Sequence, residues 1–155
     1  MGTEIGRKFL LQSDDWRNEV ESSTRLIQGY LVRGDNMAIR VRIKGDNAEI
    51  NIKHTHDGIS RLEYEYESPL DDAQEILDQV ALKPLIDKTR HHVVRGKHLW
   101  EIDEFYGDNA GLLVAEIELD SADEPFDRPA WLGQEVSLDQ RYYNSNLSKQ
   151  PYTQW

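Results

Sequence analysis

Charged residues recur at alternate positions along this chain, and they recur in like-signed pairs. Arg40 and Arg42 are followed by Lys44, and Lys88 and Arg90 by His92. Glu63, Glu65 and Glu67 share one parity with Arg61, and Glu101 pairs with Asp103 and Glu116 with Glu118. Glu49, Asn51 and Lys53 repeat the spacing, and near the start Glu4 and Lys8 bracket Gly6. Side chains two apart in a strand point to the same face. The opposite parity is apolar, as in Ile39, Val41 and Ile43, or Ala115, Ile117 and Leu119. Any one such strand is ordinary in an antiparallel sheet with one solvated face. Over seven strands, paired bases and paired acids imply a common cavity in which desolvated charges need partners. A polyanion with divalent cations would satisfy both sets, since Lys and Arg hold phosphate oxygens and carboxylates hold hard metal ions.

The elements that must position these residues are strands. Turn-forming clusters punctuate the sequence at "RGDN" (33–36), "KGDN" (44–47), "HDG" (56–58), "RGK" (95–97) and "GDNAG" (107–111). The segments between them have strand length and period-2 patterning. Strands are predicted at 3–11, 24–32, 37–44, 48–54, 60–67, 86–94, 98–105 and 112–119, with tight turns favouring antiparallel pairing. Three stretches read as helices. Residues 13–22 have Ser13 as a cap with Trp16 and Val20 one turn apart, and 69–81 place Ala73, Ile76, Leu77, Val80 and Ala81 on one stripe. Residues 137–149 are the third. The expected fold is α+β and β-rich: a closed eight-stranded antiparallel barrel with a charged interior and a few flanking helices, forming a single domain over 1–155.

Composition narrows the partners. The 155 residues include 29 acids against 18 bases, a net charge of -11, which argues against nucleic acid and against an anionic membrane surface. The absence of cysteine excludes disulfides and thiolate metal sites. No apolar run approaches the ~20 residues that span a bilayer. A soluble cytoplasmic protein, monomer or homodimer, is expected. The five histidines, His54, His56, His91, His92 and His98, fall at turns and strand ends and are expected on the surface rather than at a zinc site.

The segment "TEIGRKFL" (3–10) resembles the Glu-x-Glu-x-Lys signature of the CYTH superfamily, the triphosphate tunnel metalloenzymes. "IQGYL" (27–31), "IRVRIKG" (39–45), "INIKH" (50–54), "SRLEYEYE" (60–67), "DKTRHHV" (87–93), "WEIDEFYG" (100–107) and "VAEIELDS" (114–121) follow in that family's order. "GQEVSLDQRYYNSNL" (133–147) resembles its C-terminal segment. The resemblance implies an eight-stranded tunnel that binds a small-molecule triphosphate and carries out metal-dependent phosphoryl chemistry. Carried over position by position, it gives Lys8, Arg40, Arg42, Lys53, Lys88 and Arg90 to the triphosphate oxygens, with Arg141 as a lesser candidate. Glu4, Glu63, Glu65, Asp103, Glu116 and Glu118 would arrange Mg2+ or Mn2+ and its waters. Glu4, position 6, Lys8, Tyr30 and Lys88 make up the expected catalytic group, with Tyr30 as open to plain wall packing as to catalysis. Gly6 stands where the signature has its second glutamate. Its expected consequence is intact triphosphate binding with weakened metal affinity or slowed hydrolysis. The resemblance is greatest to short bacterial members that hydrolyse inorganic triphosphate. A class IV-type adenylate cyclase and a catalytically weakened polyphosphate-binding module are the alternatives.

Overall fold

A computed structural model describes residues 2–55 and 60–155, with side chains from Ile5 onward. His56 and the turn expected at 56–58 therefore lie outside the described residues. The strands are β1 (Gly2–Leu11), β2 (Ser22–Arg33), β3 (Met37–Lys44), β4 (Asn47–Thr55), β5 (Ser60–Ser68), β6 (Ile86–Arg95), β7 (His98–Phe105), β8 (Leu113–Leu119) and β9 (Leu132–Glu135). All pair antiparallel, in the order β5-β4-β3-β2-β6-β7-β8-β1. β1 then pairs with β5 through residues 2–5, which closes an eight-stranded barrel. β9 is an added strand on the far end of β1, opposite Phe9 and Leu11. The β3–β4 and β6–β7 hairpins turn at Gly45 and Gly96, whose φ of 60° and 61° carries no steric penalty only for glycine.

Two apolar layers cover the outside of the barrel. Helix α1 (Leu70–Gln79) lies over β3 and β4, with Ala73, Leu77 and the following Ala81 in one cluster with Val41 and Ala48. On the other side Phe9, Val93, Trp100, Ile102, Ala115 and Ile117 are buried together with Trp16, Leu132 and Trp131. Trp100 meets Trp131 edge to face, with centroids 5.7 Å apart. The inward face is not charged throughout. Leu10, Tyr30, Ile86, Phe105 and Val114 share the inward parity and join Val136, Tyr142 and Leu147 in a third cluster. One region of the lumen is thus filled by hydrocarbon and backed by the C-terminal segment.

The structure departs from the sequence reading in three places. Residues 13–22 form only a 3-10 turn at Asp15–Glu19, because Ser22 already enters β2 and pairs with His92. Trp16, completely buried, anchors that turn to the barrel wall. The helix expected at 137–149 is split into a 3-10 turn (Gln140–Tyr142) and one α-turn, α2 (Asn144–Leu147), which lets both Tyr142 and Leu147 reach the third cluster. The short β9 was not expected. Its four residues follow a proline-containing loop and show too little alternation to read.

Glu19 fastens the tryptophan layer. It accepts from Arg95 Nε and Nη2 at 2.7 and 2.9 Å and from Trp131 Nε1 at 2.9 Å. The Arg95 hydrogen bond, outweighing partial burial and joined by the Trp131 bond, holds the Glu19 carboxyl below the usual carboxylate range. A carboxyl depressed in the folded state stabilises above its unfolded pKa of about 4.3, and this contribution is lost as pH falls through the folded value. Glu19→Gln is expected to lower stability at neutral pH by about 1 kcal/mol, or ~2–4 °C in Tm. Thermal melts from pH 7 down to pH 3 should show the gap between the two proteins closing below about pH 4.

Candidate active site

The barrel encloses a cavity of about 300 Å³. β1 brings Gly6 and Lys8 to it, β2 Tyr30, β3 Arg40 and Arg42, and β4 Lys53. β5 adds Glu63 and Glu65, β6 Arg90, and β8 Glu116 and Glu118. Cross-strand register sets these groups side by side. Lys8 stands opposite Glu116 and Gly6 opposite Glu118, while Lys53 faces Glu63 and Arg40 faces Asn51. Arg40 Nε donates to Asn51 Oδ1 at 3.1 Å, and Arg42 Nε to Glu49 Oε1 at 3.0 Å. Lys53 Nζ lies 3.6 Å from Glu63 Oε1.

Lys88 and Asp103 sit deeper, as a buried ion pair. Lys88 has no exposed surface, and its Nζ donates to Asp103 Oδ2 at 2.7 Å and to Asn144 Oδ1 at 3.3 Å. Arg90 grips the same carboxylate from its other side, Nε to Oδ1 at 2.8 Å and Nη2 to Oδ2 at 3.0 Å. Burial pushes the Lys88 ammonium down to about 7. Burial opposes the Asp103 charge as well, but Arg90 and Lys88 outweigh it and hold that carboxyl far below the usual range. Asp103, expected beside a metal, is here the counter-ion of two bases. Glu116 has a similar balance: against the cost of burial, Lys8 and then Arg61 and Arg90 bring its carboxyl down to about 2.

Tyr30 lines the cavity and packs in the third cluster, with burial raising its hydroxyl pKa. Arg141 requires a correction. It lies outside the cavity, exposed, with its guanidinium on Asp139 at 2.7 Å and over the Trp155 ring at 4.8 Å. The 137–149 segment turns where a continuous helix was expected, and Arg141 faces away with it. The side chain of Glu4 lies outside the described ones. His91, His92 and His98 are half-buried rather than freely exposed, each beside a carboxylate (Glu104, Glu101 and Glu124).

The sequence reading also passed over residues that belong to the site. Arg61, Glu49 and Glu101 line the cavity on parities already noted. Ser137, Tyr143, Asn144 and Ser145 line it from the C-terminal segment, where no periodicity marks them. Ser137 Oγ accepts from the Lys8 backbone N–H at 3.0 Å, and Lys8 Nζ lies 5.9 Å from the centre of the Tyr143 ring.

The donor set suits a hard divalent cation, being all carboxylate, and Glu63 Oε2 is buried without a hydrogen-bond partner. Among the described residues, no three His, Asp or Glu side chains converge as a closed cage. The arrangement fits an ion held by one or two carboxylates and completed by the oxygens of a bound anion, which is the way Mg2+ is commonly held.

A closed antiparallel barrel with bases and carboxylates set side by side around its lumen defines a receptacle for a polyanion and its cations. The chain belongs to the CYTH domain family, whose model matches residues 2–152, and members of that family are metal-dependent. It is 43% identical over 152 residues to the inorganic triphosphatase of Acetivibrio thermocellus, covering 98% of this chain and 97% of that protein. With the inorganic triphosphatase of Nitrosomonas europaea it shares 34% identity, over 94% of this chain and 97% of the relative. A crystal structure of an inorganic triphosphatase superposes with a TM-score of 0.69 at 30% identity, covering 96% of this chain and 95% of that one.

Removing the acid from the buried ion pair tests its structural weight. Asp103→Ala is expected to cost ~3–5 kcal/mol, because Arg90 remains as a buried cation without its partner and Lys88, already pushed down by burial, loses the acceptor that favours its charge. Urea denaturation with and without tripolyphosphate should show the anion recovering part of that loss, and recovering more in the variant than in the parent protein.

Proposed function

We propose that this chain hydrolyses inorganic triphosphate with a divalent cation, Mg2+ or Mn2+, inside the barrel, at a rate limited by Gly6. One observation carries the reading: Lys8, Arg40, Arg42, Lys53 and Arg90 converge on a single cavity also lined by Glu63, Glu65, Glu116 and Glu118. Membership in the CYTH family and two inorganic triphosphatase relatives support it. The protein works as a single cytoplasmic domain, monomeric or dimeric.

Arg40 and Arg42 present planar forks that match phosphate oxygens two at a time, and Lys8 and Lys53 add point charge. Together they orient the chain of phosphoryl groups and stabilise the charge that shifts toward the bridging oxygen as the terminal P–O bond breaks. Glu63, Glu65, Glu116 and Glu118 would hold the metal. A bound divalent cation supplies neutralisation of the phosphate oxygens and lowers the pKa of the attacking water. Lys88, withheld from solvent, fixes Asp103 and through it the Arg90 guanidinium. The missing carboxylate at position 6 favours a second reading, a triphosphate-binding module with little turnover, and phosphate release separates the two.

The test is steady-state phosphate release from tripolyphosphate, ATP and thiamine triphosphate across a Mg2+ and Mn2+ titration. Tripolyphosphate with metal is expected to be the fastest combination, and Arg40→Gln to reduce its turnover by ~10²–10³. Gly6→Glu is expected to raise kcat by a similar factor. Equal kcat in both forms at every metal concentration would remove position 6 from the reaction. Tripolyphosphate at a hundredfold excess over its Kd should stabilise the folded protein by about 2.7 kcal/mol, read as a rise in Tm.

A further inference from the structure

The C-terminal segment reaches the lumen beside two of its bases. Tyr143 lies against β1, its ring centre 5.9 Å from Lys8 Nζ. The next residue, Asn144, meets β6, where Lys88 Nζ donates to Asn144 Oδ1 at 3.3 Å. Asn144 is half-buried and lines the cavity. Its neighbours hold it in place. Tyr142 and Leu147 are sunk in the third cluster, and Arg33 Nη1 fastens the end of α2, donating to Ser148 Oγ at 2.6 Å and to the Ser148 carbonyl at 2.9 Å. Lys88 also fixes which way the carboxamide points. A protonated lysine offers only donors, so the end of Asn144 that faces it is the oxygen, and the NH2 is turned away. That NH2 meets no acceptor among the described residues. Lys88 donates in turn to Asp103, which Arg90 grips, and Arg90 lines the same cavity. Asn144 thus stands at the edge of the base cluster with an unengaged donor and no charge.

We propose that Asn144 is a triphosphate-binding residue, its Oδ1 held by Lys88 and its NH2 donating to an oxygen of the bound anion. This rests on the triphosphate reading above and adds a ligand to it. A neutral donor suits the place. Another cation beside Lys88 and Arg90 would need a counter-ion of its own whenever the lumen is empty. A carboxamide makes no such demand, yet its hydrogen bond to an anionic oxygen is stronger than one between neutral groups. Held before the ligand arrives, the side chain also loses little freedom on binding.

Calorimetric titration with tripolyphosphate in EDTA reads binding without turnover, at a pH below the Lys88 value of about 7 so that Lys88 keeps its proton. Asn144→Ala is expected to bind ~10-fold more weakly than the parent protein. Asn144→Asp still accepts from Lys88 but turns an anionic oxygen toward the ligand, and should bind more weakly again. A residue that only steadied Lys88 would lose its effect once Lys88 is gone. In a Lys88→Met background, where Asp103 keeps Arg90, Asn144→Ala should still weaken binding ~10-fold, and disappearance of that effect overturns the inference. The carboxamide is also read directly, whether or not Lys88→Met folds. The Asn144 side-chain N–H resonances, assigned by their absence from Asn144→Ala, should shift on saturation with tripolyphosphate, and unmoved resonances overturn the inference. Unchanged binding in Asn144→Ala, with binding lost in Arg40→Gln, overturns this inference alone. No binding by the parent protein overturns the triphosphate reading and this inference with it. Circular dichroism melts of Asn144→Ala and Asn144→Asp guard against a loss that only reflects unfolding.

Discussion

Closing the sheet commits the protein to burying charge. Once β1 pairs with β5, every inward side chain of eight strands shares one narrow space, and water cannot screen them as it would on an open face. Each base must then meet an acid or an anion, and the register supplies this: Lys8 with Glu116, Lys53 with Glu63, Arg42 with Glu49, and Lys88 and Arg90 with Asp103. These pairs are weak evidence for stability, since desolvation offsets much of their attraction. Their value is in holding both signs of charge ready for a ligand that carries anionic oxygens and bound cations together.

The stability comes from elsewhere. The apolar parity of the same strands faces outward and is buried beneath α1 on one side and beneath Trp16 and Trp131 on the other. A single strand such as β8 thus serves both purposes, sending Glu116 into the lumen and Ala115 and Ile117 into the tryptophan layer. Alternation is what allows a short chain to line a polar tunnel and still possess a core.

That alternation is also why so much was legible from residues alone. The inward placement of Arg40 and Arg42, and of Glu116 and Glu118, follows from period-2 spacing opposite Val41 or Ile117, and closure follows from eight such segments. The apolar region of the lumen was not legible, because period-2 spacing does not separate Ile86 and Phe105 from other strand residues, and only the closed barrel gathers them with Val114. Trp16 looked like one rung of a helix, whereas pairing of Ser22 with His92 cut that helix to one turn. Asn144 and Tyr143 reach the site from a segment without periodicity, and only the packing of Tyr142 and Leu147 puts them there. Arg141 was misjudged for the same reason.

The placement of the bases has a kinetic side. Lys8, Arg40, Arg42, Lys53, Arg61 and Arg90 line the cavity among acids of nearly equal number, so the surplus of acids behind the net charge of -11 lies outside it. At distances beyond the cavity mouth an approaching polyanion meets repulsion, and attraction begins only at close range. Salt shortens the reach of the outer field, to roughly 8 Å at physiological ionic strength, and acts less on charges inside the wall. Rising ionic strength should accordingly speed the encounter while weakening the final complex, the reverse of the rate behaviour of a protein that draws its ligand in from afar.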